Sequence, residues 1–427
     1  MRAGGRIGLG ILGAAVAAVV MALAASFRPP LPPIAPPAPA SFSPQEVVRG
    51  AELVRIGDCM VCHTADQGRP FAGGRGLPTP FGIIYATNIT PDVKTGIGAW
   101  SKQAFRRAMH QGLARDGAHL YPAFPYDHFR NVADADVDAI YDFLMTRRAI
   151  RESAPHNRLI PPLGFRPLVA GWKLISLRPP SSPQRLSHDP VLQRGAYLVE
   201  GLGHCGACHS PHNWLGAEET NRRLAGGTSE GWYAPPLNAS SPAARAWTAD
   251  RLYALLRTGL DPDHAAAAGP MRQVTQELSG ASDADVRAIA AYVASQMQAA
   301  PSGRRGEVYA IDRAPAAARD HPAGASLFAG ACAACHEPGA PMMLDGRPPL
   351  QLGSPLHEDT PRNTLLMIRQ GLQPPAGRSG PFMPAFGDTF TDAQTAELAA
   401  YLRERFSDRP PWPDLAKAVA RARKEGS

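Results

Sequence analysis

The sequence has few charged and few aromatic residues, and it lacks the patterns of several common protein classes. Of its 427 residues, 19% are charged and 7% are aromatic. The formal net charge is +7, but no run rich in lysine and arginine with interleaved aromatic residues occurs, so nucleic acid is not expected as a partner. No grouping of a nucleophile with a base and no glycine-rich phosphate loop occurs either. The sequence therefore predicts no catalytic residues, and whether the chain is an enzyme stays open.

A long hydrophobic run stands at the N-terminus. Arg2 and Arg6 precede an apolar stretch over residues 7–25, which is about the length that crosses a bilayer, and positive charge before such a stretch predicts that the remainder is exported. Residues 1–27 are either a cleaved signal peptide, with a weak cleavage site at Ala24, or a retained membrane anchor. Residues 28–44 are rich in proline and are expected to form an extended stalk or linker.

All six cysteines lie in C-x-x-C-H motifs. The motifs are Cys59-Met-Val-Cys62-His63, Cys205-Gly-Ala-Cys208-His209 and Cys332-Ala-Ala-Cys335-His336. Exported proteins usually pair their cysteines, but two thiols one helical turn apart can each bind a vinyl group of one porphyrin while the adjacent histidine reaches the iron. A zinc site would gather four ligands, and thioredoxin chemistry needs no following histidine. The motifs predict three covalently bound haem c groups, with His63, His209 and His336 as axial ligands.

Each motif belongs to a longer repeat. The preceding segments are related and predict a short helix before each motif: "RGAELVRIGDCMVCH", "RGAYLVEGLGHCGACH" and "AGASLFAGACAACH". Downstream, a Gly-Leu pair at Gly112, Gly259 or Gly371 is expected to end a helix, because glycine is the usual left-handed C-cap. A last helix then begins at acidic, serine or threonine residues. Matching aromatic residues in the last helices are predicted to pack against the first helix of their repeat: Phe143, Tyr292 and Tyr401.

These patterns predict an all-α chain made of three small haem domains in series. The domains are expected at residues 45–150, 191–299 and 323–408, and we name them the first, second and third repeats. Residues 300–322 are a predicted linker and residues 409–427 a tail. The proline-rich segment 151–190 is either a linker or a strap over a neighbouring domain.

The sixth ligand of each iron is expected in the loop between the Gly-Leu pair and the last helix. A thioether is a common ligand because sulfur stabilises ferrous iron. The second repeat has Met271 in "DPDHAAAAGPMRQV" and the third has Met383 in "SGPFMPAFGDTF". Either could instead be a core methionine. Weaker candidates are a methionine of the last helix and two methionines close to His336: Met297, Met342 and Met343.

The first repeat departs from this pattern. Its loop reads "LYPAFPYDHF", and Phe124 stands where a methionine is expected. Phenylalanine cannot bind iron, so His128, four residues further on, is the first candidate. An open, five-coordinate iron is the second alternative. The other candidates for this ligand are Met109, His110 and His119.

Several segments outside the motifs carry a family resemblance. They are "TPFGIIYATNITPDVKTGIGAWS", "RGAYLVEGLGHCGACHSPHNWLGAE", "AGPM" and "FMPAF". With the three motifs, they resemble the three-haem cytochrome c subunit of bacterial membrane-bound dehydrogenases over nearly the whole chain after the stalk. That family serves alcohol, gluconate and sorbitol dehydrogenases, and also molybdenum hydroxylases that act on aldehydes or N-heterocycles such as nicotinate and isoquinoline. The family's usual first loop is Y-P-A-M-P-Y. The Phe124 loop and "PLVAGWKL" look more like the subunits that serve molybdenum hydroxylases.

The resemblance implies three class I cytochrome c domains and a role in electron transfer. Substrate would be oxidised on a catalytic dehydrogenase subunit, which would be a molybdenum hydroxylase, a quinoprotein or a flavoprotein. Electrons would pass through three haems to ubiquinone, a cytochrome or a terminal oxidase. The implied location is the periplasmic side of the bacterial inner membrane, with the chain anchored or associated through its N-terminus. Two other functions stay open: a peroxidase-like haem enzyme with an open first haem, and a free periplasmic electron shuttle.

Overall fold

The computed structural model describes residues 26–177, 179, 188–298, 311–337, 339–340, 348–374 and 382–425. The apolar run at residues 7–25 lies outside them, as do Met342 and Met343. Within the described residues, no helix has both the length and the apolar character needed to cross a membrane. These residues form two compact units: residues 26–177 with Leu215–Ala217, and residues 188–214 with 218–425.

The first unit contains the first repeat and the segment that follows it. Its helices are α1 (Pro44–Ile56), α2 (Cys59–Cys62), α3 (Lys102–Gln111), α4 (Tyr126–Phe129), α5 (Asp134–Met145) and α6 (Leu168–Ser176). Its strands are β1 (Gly76–Thr79), β2 (Gly82–Tyr85) and β3 (Arg158–Leu159), and they form an antiparallel sheet in that order.

The first and last helices of this repeat pack side by side. A methyl group added at Gly50 in α1 would lie 2.8 Å from Cβ of Phe143 in α5, so only glycine allows this approach. Next to it, Arg49 forms an ion pair with the buried Asp136. The predicted apolar face of α5 is buried, with Val137 and Ile140 at its centre. The predicted packing of Phe143 against the first helix is confirmed.

Residues 158–177, which we call the strap, pack onto the first repeat. The strap begins with β3, which pairs with β2. Further along, the Tyr121 hydroxyl donates a hydrogen bond of 3.0 Å to the carbonyl of Leu163. The sequence predicts a linker or a strap over a neighbouring domain for this segment, but residues 158–177 instead pack on the repeat that precedes them.

The second unit contains the second and third repeats. The helices of the second repeat are α7 (Pro190–Tyr197), α8 (Gly206–His209), α9 (Ala249–Thr258), α10 (Pro270–Leu278) and α11 (Asp283–Gln298). Its short antiparallel strands are β4 (Gly227–Ser229) with β5 (Trp232–Ala234), and β6 (Leu260–Asp261) with β7 (Ala265–Ala266). The helices of the third repeat and the tail are α12 (Ala314–Asp320), α13 (Pro322–Ala331), α14 (Ala333–His336), α15 (Arg362–Gln370), α16 (Asp392–Phe406) and α17 (Leu415–Glu425).

Both repeats of this unit reproduce the helix packing of the first. A methyl group added at Gly195 in α7 would lie 2.6 Å from Cβ of Tyr292, and one at Gly324 in α13 would lie 2.7 Å from Cβ of Tyr401. The predicted packing of these two tyrosines is therefore confirmed as well. Arg194 repeats the ion pair of the first repeat, with Nε 2.7 Å from Oδ1 of Asp285.

The second and third repeats are joined through several side chains, with Asn363 bound to both backbone groups of one residue. The Asn363 amide, in α15, accepts a hydrogen bond of 3.0 Å from the backbone N–H of Tyr233 and donates one of 2.8 Å to its carbonyl. Trp232, beside Tyr233 in β5, packs against the hydrophobic core of the third repeat. The Arg272 guanidinium adds a hydrogen bond of 2.8 Å to the carbonyl of Gln373. These contacts make the two repeats one compact body.

The predicted helix ends are mostly confirmed. Gly112 and Gly259 adopt the left-handed conformation after α3 and α9, with φ of 61° and 78°. Gly371 also has a positive φ of 65°, but its ψ of −162° lies outside the left-handed helical region. Thr391 caps α16 and forms a full capping box with Gln394. Helix dominates the fold, as predicted, but the all-α prediction omitted the short antiparallel strands β1 to β7.

Candidate metal centres

Each C-x-x-C-H motif forms one helical turn directly after the first helix of its repeat. The backbone N–H of the histidine donates to the carbonyl of the first cysteine at 3.0 Å in the first motif and at 2.9 Å in the other two. In such a turn, residues three and four apart lie on one face. The turn therefore places two thiols and an imidazole on the same side, which is the arrangement that covalent haem attachment needs.

The six cysteines are half-buried, and none of them forms a disulfide. Burial, followed by the neighbouring Cys335, raises the pKa of Cys332 to about 11. Reactive thiolates of redox motifs need a lowered pKa. The Cys332 thiol therefore lacks the lowered pKa of a disulfide-exchange site.

Two of the motif histidines are oriented by a backbone carbonyl. Nδ1 of His63 lies 2.6 Å from the carbonyl oxygen of Thr87, and Nδ1 of His209 lies 2.6 Å from that of Pro235. Burial lowers the pKa of both imidazoles, more than these hydrogen bonds raise it. The neutral ring then donates its Nδ1 proton to the carbonyl and keeps a lone pair on Nε2, as a metal-bound histidine does. These residues fit haem iron. In the third motif, the half-buried His336 ends α14.

Sequence reasoning missed Thr87 and Pro235. A backbone carbonyl acceptor has no side-chain signature, so neither residue stands out by type. The signal that could have found them is position, because each follows an alanine, Ala86 or Ala234, at the end of the strand pair in its repeat. Aligning the repeats through those alanines would have placed both carbonyls at one equivalent point.

A glycine N–H is hydrogen-bonded back to each of these two histidines and closes the loop that follows the histidine. The backbone N–H of Gly73 donates 2.8 Å to the carbonyl of His63, and that of Gly226 donates 2.8 Å to the carbonyl of His209. Both glycines have a positive φ, 80° and 87°, which side chains disfavour. The two sites therefore share their backbone construction as well as their motif.

The backbone register aligns Phe124 with Met271. In the first repeat, the N–H of Leu120 donates to the carbonyl of the glycine that ends α3. In the second, the N–H of Ala267 donates to the carbonyl of the glycine that ends α9, and both hydrogen bonds are 2.8 Å long. Phe124 lies four residues after Leu120, and Met271 lies four residues after Ala267. The two residues therefore have the same offset from the Gly-Leu turn, although Met271 lies in a helix and Phe124 in a bend.

The two candidate methionine ligands are held in different ways. Met271 is half-buried in the first turn of α10, directly after Pro270. Met383 pairs with Leu372 through two backbone hydrogen bonds of 2.8 Å, so in the third repeat the candidate ligand itself lies beside the Gly-Leu turn. Met297 is half-buried in α11.

Phe124 sits in an aromatic cluster. Its ring centroid lies 5.3 Å from that of Phe129 and 6.4 Å from that of Tyr126. The Tyr126 hydroxyl is buried and has no hydrogen-bond partner in the described part of the chain. His128, four residues after Phe124, is buried in α4. Met109 is buried in α3, the helix that precedes the loop. The structure thus leaves both as candidates for the first iron.

The other two histidine candidates have backbone partners. Nε2 of His119 lies 2.9 Å from the carbonyl of Ser26, while its buried Nδ1 has no partner among the described residues. Nε2 of His110 lies 3.0 Å from the carbonyl of Val132. Iron ligation through Nε2 would break either hydrogen bond, so each of these histidines would have to bind iron through Nδ1, which in His110 lies 3.6 Å from Oδ1 of Asp134.

Comparisons with known proteins agree with the motifs. The family model described as "Cytochrome c" matches residues 47–148. The model described as "Cytochrome C oxidase, cbb3-type, subunit III" matches residues 319–402. These matches cover the first and third repeats.

Relatives match over most of the chain. The gluconate 2-dehydrogenase cytochrome c subunit of Pantoea cypripedii is 36% identical, and the match covers 89% of this chain and 90% of that protein. The chain belongs to the family of dehydrogenase cytochrome c subunits. The fructose dehydrogenase cytochrome subunit of Gluconobacter japonicus is 33% identical over 87% of this cytochrome c subunit and 82% of its own length. Family membership confirms electron transfer and covalently bound haem c.

One relative is much longer than this cytochrome c subunit. A nicotinate dehydrogenase subunit of Pseudomonas putida is 44% identical over 97% of this chain, but the match covers 35% of that protein. The chain thus spans about a third of the length of that relative.

Proposed function

We propose that this cytochrome c subunit holds three haem c groups and passes electrons from a catalytic dehydrogenase subunit to a respiratory acceptor. The observation that carries the proposal is the helical turn shared by the three motifs, with its histidine-to-cysteine hydrogen bonds of 2.9 to 3.0 Å. Haem iron supplies the one-electron chemistry. The chain's residues attach, orient and shield it.

The proposed attachment residues are the six motif cysteines, with His63, His209 and His336 as proximal ligands. The carbonyls of Thr87 and Pro235 fix the orientation and the tautomer of the first two imidazoles. Met271 and Met383 are the proposed sixth ligands of the second and third irons, because a thioether favours the ferrous state and raises the potential. The proposed unit order is three cytochrome c domains after an N-terminal signal or anchor.

For the first iron, we propose His128 as the sixth ligand. It is buried and belongs to the same loop as Phe124. Nδ1 of His119 and the thioether of Met109 are the alternatives. Two imidazole ligands would give the first haem a lower potential than the methionine-ligated haems.

Phe124 also motivates a second candidate function, in which an open first iron does peroxidase-like chemistry. Electron paramagnetic resonance of the ferric protein separates the two. A low-spin signal from all three haems supports electron transfer, whereas a high-spin first haem that binds cyanide readily supports the haem enzyme.

The proposed catalytic partner is a molybdenum hydroxylase that acts on an aldehyde or an N-heterocycle. The 44% identity to the nicotinate dehydrogenase subunit supports this choice. A quinoprotein or flavoprotein is the alternative, since the relatives include cytochrome c subunits of gluconate and fructose dehydrogenases. The proposed acceptor is ubiquinone, a cytochrome or a terminal oxidase. The proposed place is the periplasmic side of the inner membrane, reached through residues 1–27.

The test begins with intact mass spectrometry of the chain purified from membranes, where we expect the added mass of three haems. Replacing both Cys332 and Cys335 with alanine should remove one haem mass and leave two. The purified complex should then show rapid haem reduction by substrate, while the isolated chain should show none. An intact mass without haem, or substrate oxidation by the chain alone at the rate of the complex, contradicts the proposal. Copurification of a catalytic subunit would distinguish this proposal from a free electron shuttle, which would be purified without a partner.

A further inference from the structure

The strap presents an apolar face to solvent. Leu174 and Ile175 in α6 are 89% and 75% exposed, and Phe165 and Leu168 are also exposed. Of the eleven exposed large apolar side chains in the described residues, five lie between Ile160 and Ile175. Single exposed apolar residues are normal on protein surfaces, but a contiguous group marks an interaction site.

The opposite side of α6 is fixed to the first repeat. Val169 is buried, and the Trp172 ring packs edge-on against Tyr126 with centroids 6.3 Å apart. Nζ of Lys173 donates hydrogen bonds of 2.6 and 2.7 Å to the carbonyls of Gln111 and Gly112 at the end of α3. These contacts hold the helix on the first repeat, so its exposed apolar side chains belong to an ordered helix.

The chain that follows the apolar run reaches the molecule beside this helix. The carbonyl of Ser26, the first described residue, lies 2.9 Å from Nε2 of His119. The carbonyl of His119 in turn accepts a hydrogen bond of 3.1 Å from Arg166 of the strap. Burial, and after it the charge of Arg28, lowers the pKa of Lys173 to about 7, which also places the two residues near each other. Phe27 is 69% exposed.

The charge around α6 is positive. Residues 146–177 contain six lysine or arginine residues and one acidic residue, Glu152. Among the six, Arg148, Arg151 and Arg158 are exposed. Arg158 lies in β3 at the start of the strap, and basic residues in the same segment as an exposed apolar helix favour anionic lipid surfaces, with electrostatic attraction adding to apolar burial.

We propose that α6 docks on the periplasmic surface of a phospholipid bilayer. The side chains of Leu168, Leu174 and Ile175 enter the boundary between headgroups and acyl chains, and the exposed arginines contact anionic headgroups. The inference rests on the export proposed above. A lipid surface is the occupant because the apolar residues 7–25 lead directly to Ser26, beside the strap. Docking would fix the orientation of the first repeat relative to a membrane-dissolved acceptor.

The test uses the full-length, haem-loaded protein in vesicles of phosphatidylcholine and phosphatidylglycerol. A nitroxide label is placed on a new cysteine by Leu174→Cys, and the matched control is Val93→Cys, which is 54% exposed in the same unit. Collision rates with oxygen, which concentrates in lipid, and with a polar nickel chelate are measured for both. We expect the oxygen-to-nickel ratio at position 174 to rise several-fold on vesicle binding, and the ratio at position 93 to stay constant. Replacing phosphatidylglycerol with phosphatidylcholine should reduce the rise.

Equal ratios at the two positions overturn the proposal. The proposal is also overturned if position 174 becomes protected only when the catalytic subunit is added. That result would assign the exposed face of α6 to the catalytic subunit. A second variant, Leu174→Glu with Ile175→Glu, should abolish the lipid-dependent protection measured at Leu168→Cys. Its haems should still be reduced by the catalytic subunit in detergent. If the catalytic subunit does not reduce the haems of the unaltered protein, the proposed function is contradicted. The oxygen-to-nickel ratio at position 174 would still test the docking of α6 on lipid.

Discussion

Gly324 lies directly against Tyr401, so closely that an added methyl group would be 2.7 Å from the tyrosine Cβ. The same relationship joins Gly50 to Phe143 and Gly195 to Tyr292. In each repeat the first helix can approach the last only because the contact residue has no side chain. The aromatic side chain of the last helix then packs against the first helix, which leads to the attachment motif.

Replacing Gly324 with alanine should destabilise the third repeat. The methyl group must displace backbone of α16, and overpacking of this kind costs about 1–3 kcal/mol. The matched control is Gly330→Ala in the same helix, where an added methyl group meets nothing within 4 Å. The control should be neutral or stabilising by up to about 1 kcal/mol. Denaturant unfolding of the haem-loaded protein measures both, and equal effects would contradict the packing argument.

Replacing Met271 or Met383 with alanine should each convert one haem to high spin and lower its potential, because the thioether that favours ferrous iron is lost. The haem should stay attached, since the cysteines are unchanged. Optical redox titration and paramagnetic resonance measure the effect. Met297→Ala is the control and should change neither. An unchanged spectrum in either variant would remove that methionine from the ligand set.

Replacing Phe124 with methionine should raise the potential of the first haem. The backbone register puts position 124 at the place of Met271, so the new thioether can compete with an imidazole for the iron. Redox titration should then show one haem with a higher reduction potential than in the unaltered protein. His128→Ala should produce a high-spin first haem if His128 is the native ligand. A low-spin first haem in that variant would transfer the assignment to His119 or Met109.

Stability should fall as the pH rises from about 5 to about 8. Burial raises the pKa of Glu358 from 4.5 to about 8, although Asn363 and Arg403 favour its charged form. Its Oε1 accepts a hydrogen bond of 3.1 Å from Asn363, and its Oε2 has no partner among the described residues. The folded state therefore keeps a proton that the unfolded state releases, so its stabilising effect is complete below the unfolded pKa and is lost as the pH passes the folded pKa.

The expected loss is a few kcal/mol, because one pKa unit corresponds to about 1.4 kcal/mol. Denaturant unfolding across this pH range measures it. Glu358→Gln keeps an uncharged hydrogen-bonding group and should flatten the dependence. Asp320→Asn changes an exposed carboxylate in the same unit and should leave the slope as it is. A slope that persists in Glu358→Gln would assign the dependence to other groups.

The helices and their packing were predictable from the sequence because the repeats carry periodic apolar residues and matching aromatic residues. Phe143, Tyr292 and Tyr401 pack as the alignment predicts. The N-cap prediction holds at Thr391, whose side chain caps α16, but α5 begins after Ala133 without a side-chain cap. Apolar periodicity and capping residues in the sequence thus predicted most of the helices and some of the residues at which they begin or end.

Three features could not be predicted. The strap has no periodic pattern, so its packing depends on contacts such as the bond from Tyr121 to the Leu163 carbonyl, which the order of residue types does not encode. The orienting carbonyls of Thr87 and Pro235 are backbone groups. The contact between the second and third repeats uses Asn363, Trp232 and Arg272, which carry no pattern in the sequence that marks them as contact residues.

Asn363 has a consequence for the rate at which charge moves between the second and third repeats. Its amide occupies both the donor and the acceptor of Tyr233, in the manner of an adjoining strand. A slip of one residue would leave both backbone groups unpaired, at about 1–3 kcal/mol for each. The separation between the proposed haems of these two repeats would thus be set by folding and not by diffusive encounter, so a tunnelling step between them would keep one rate regardless of solvent viscosity.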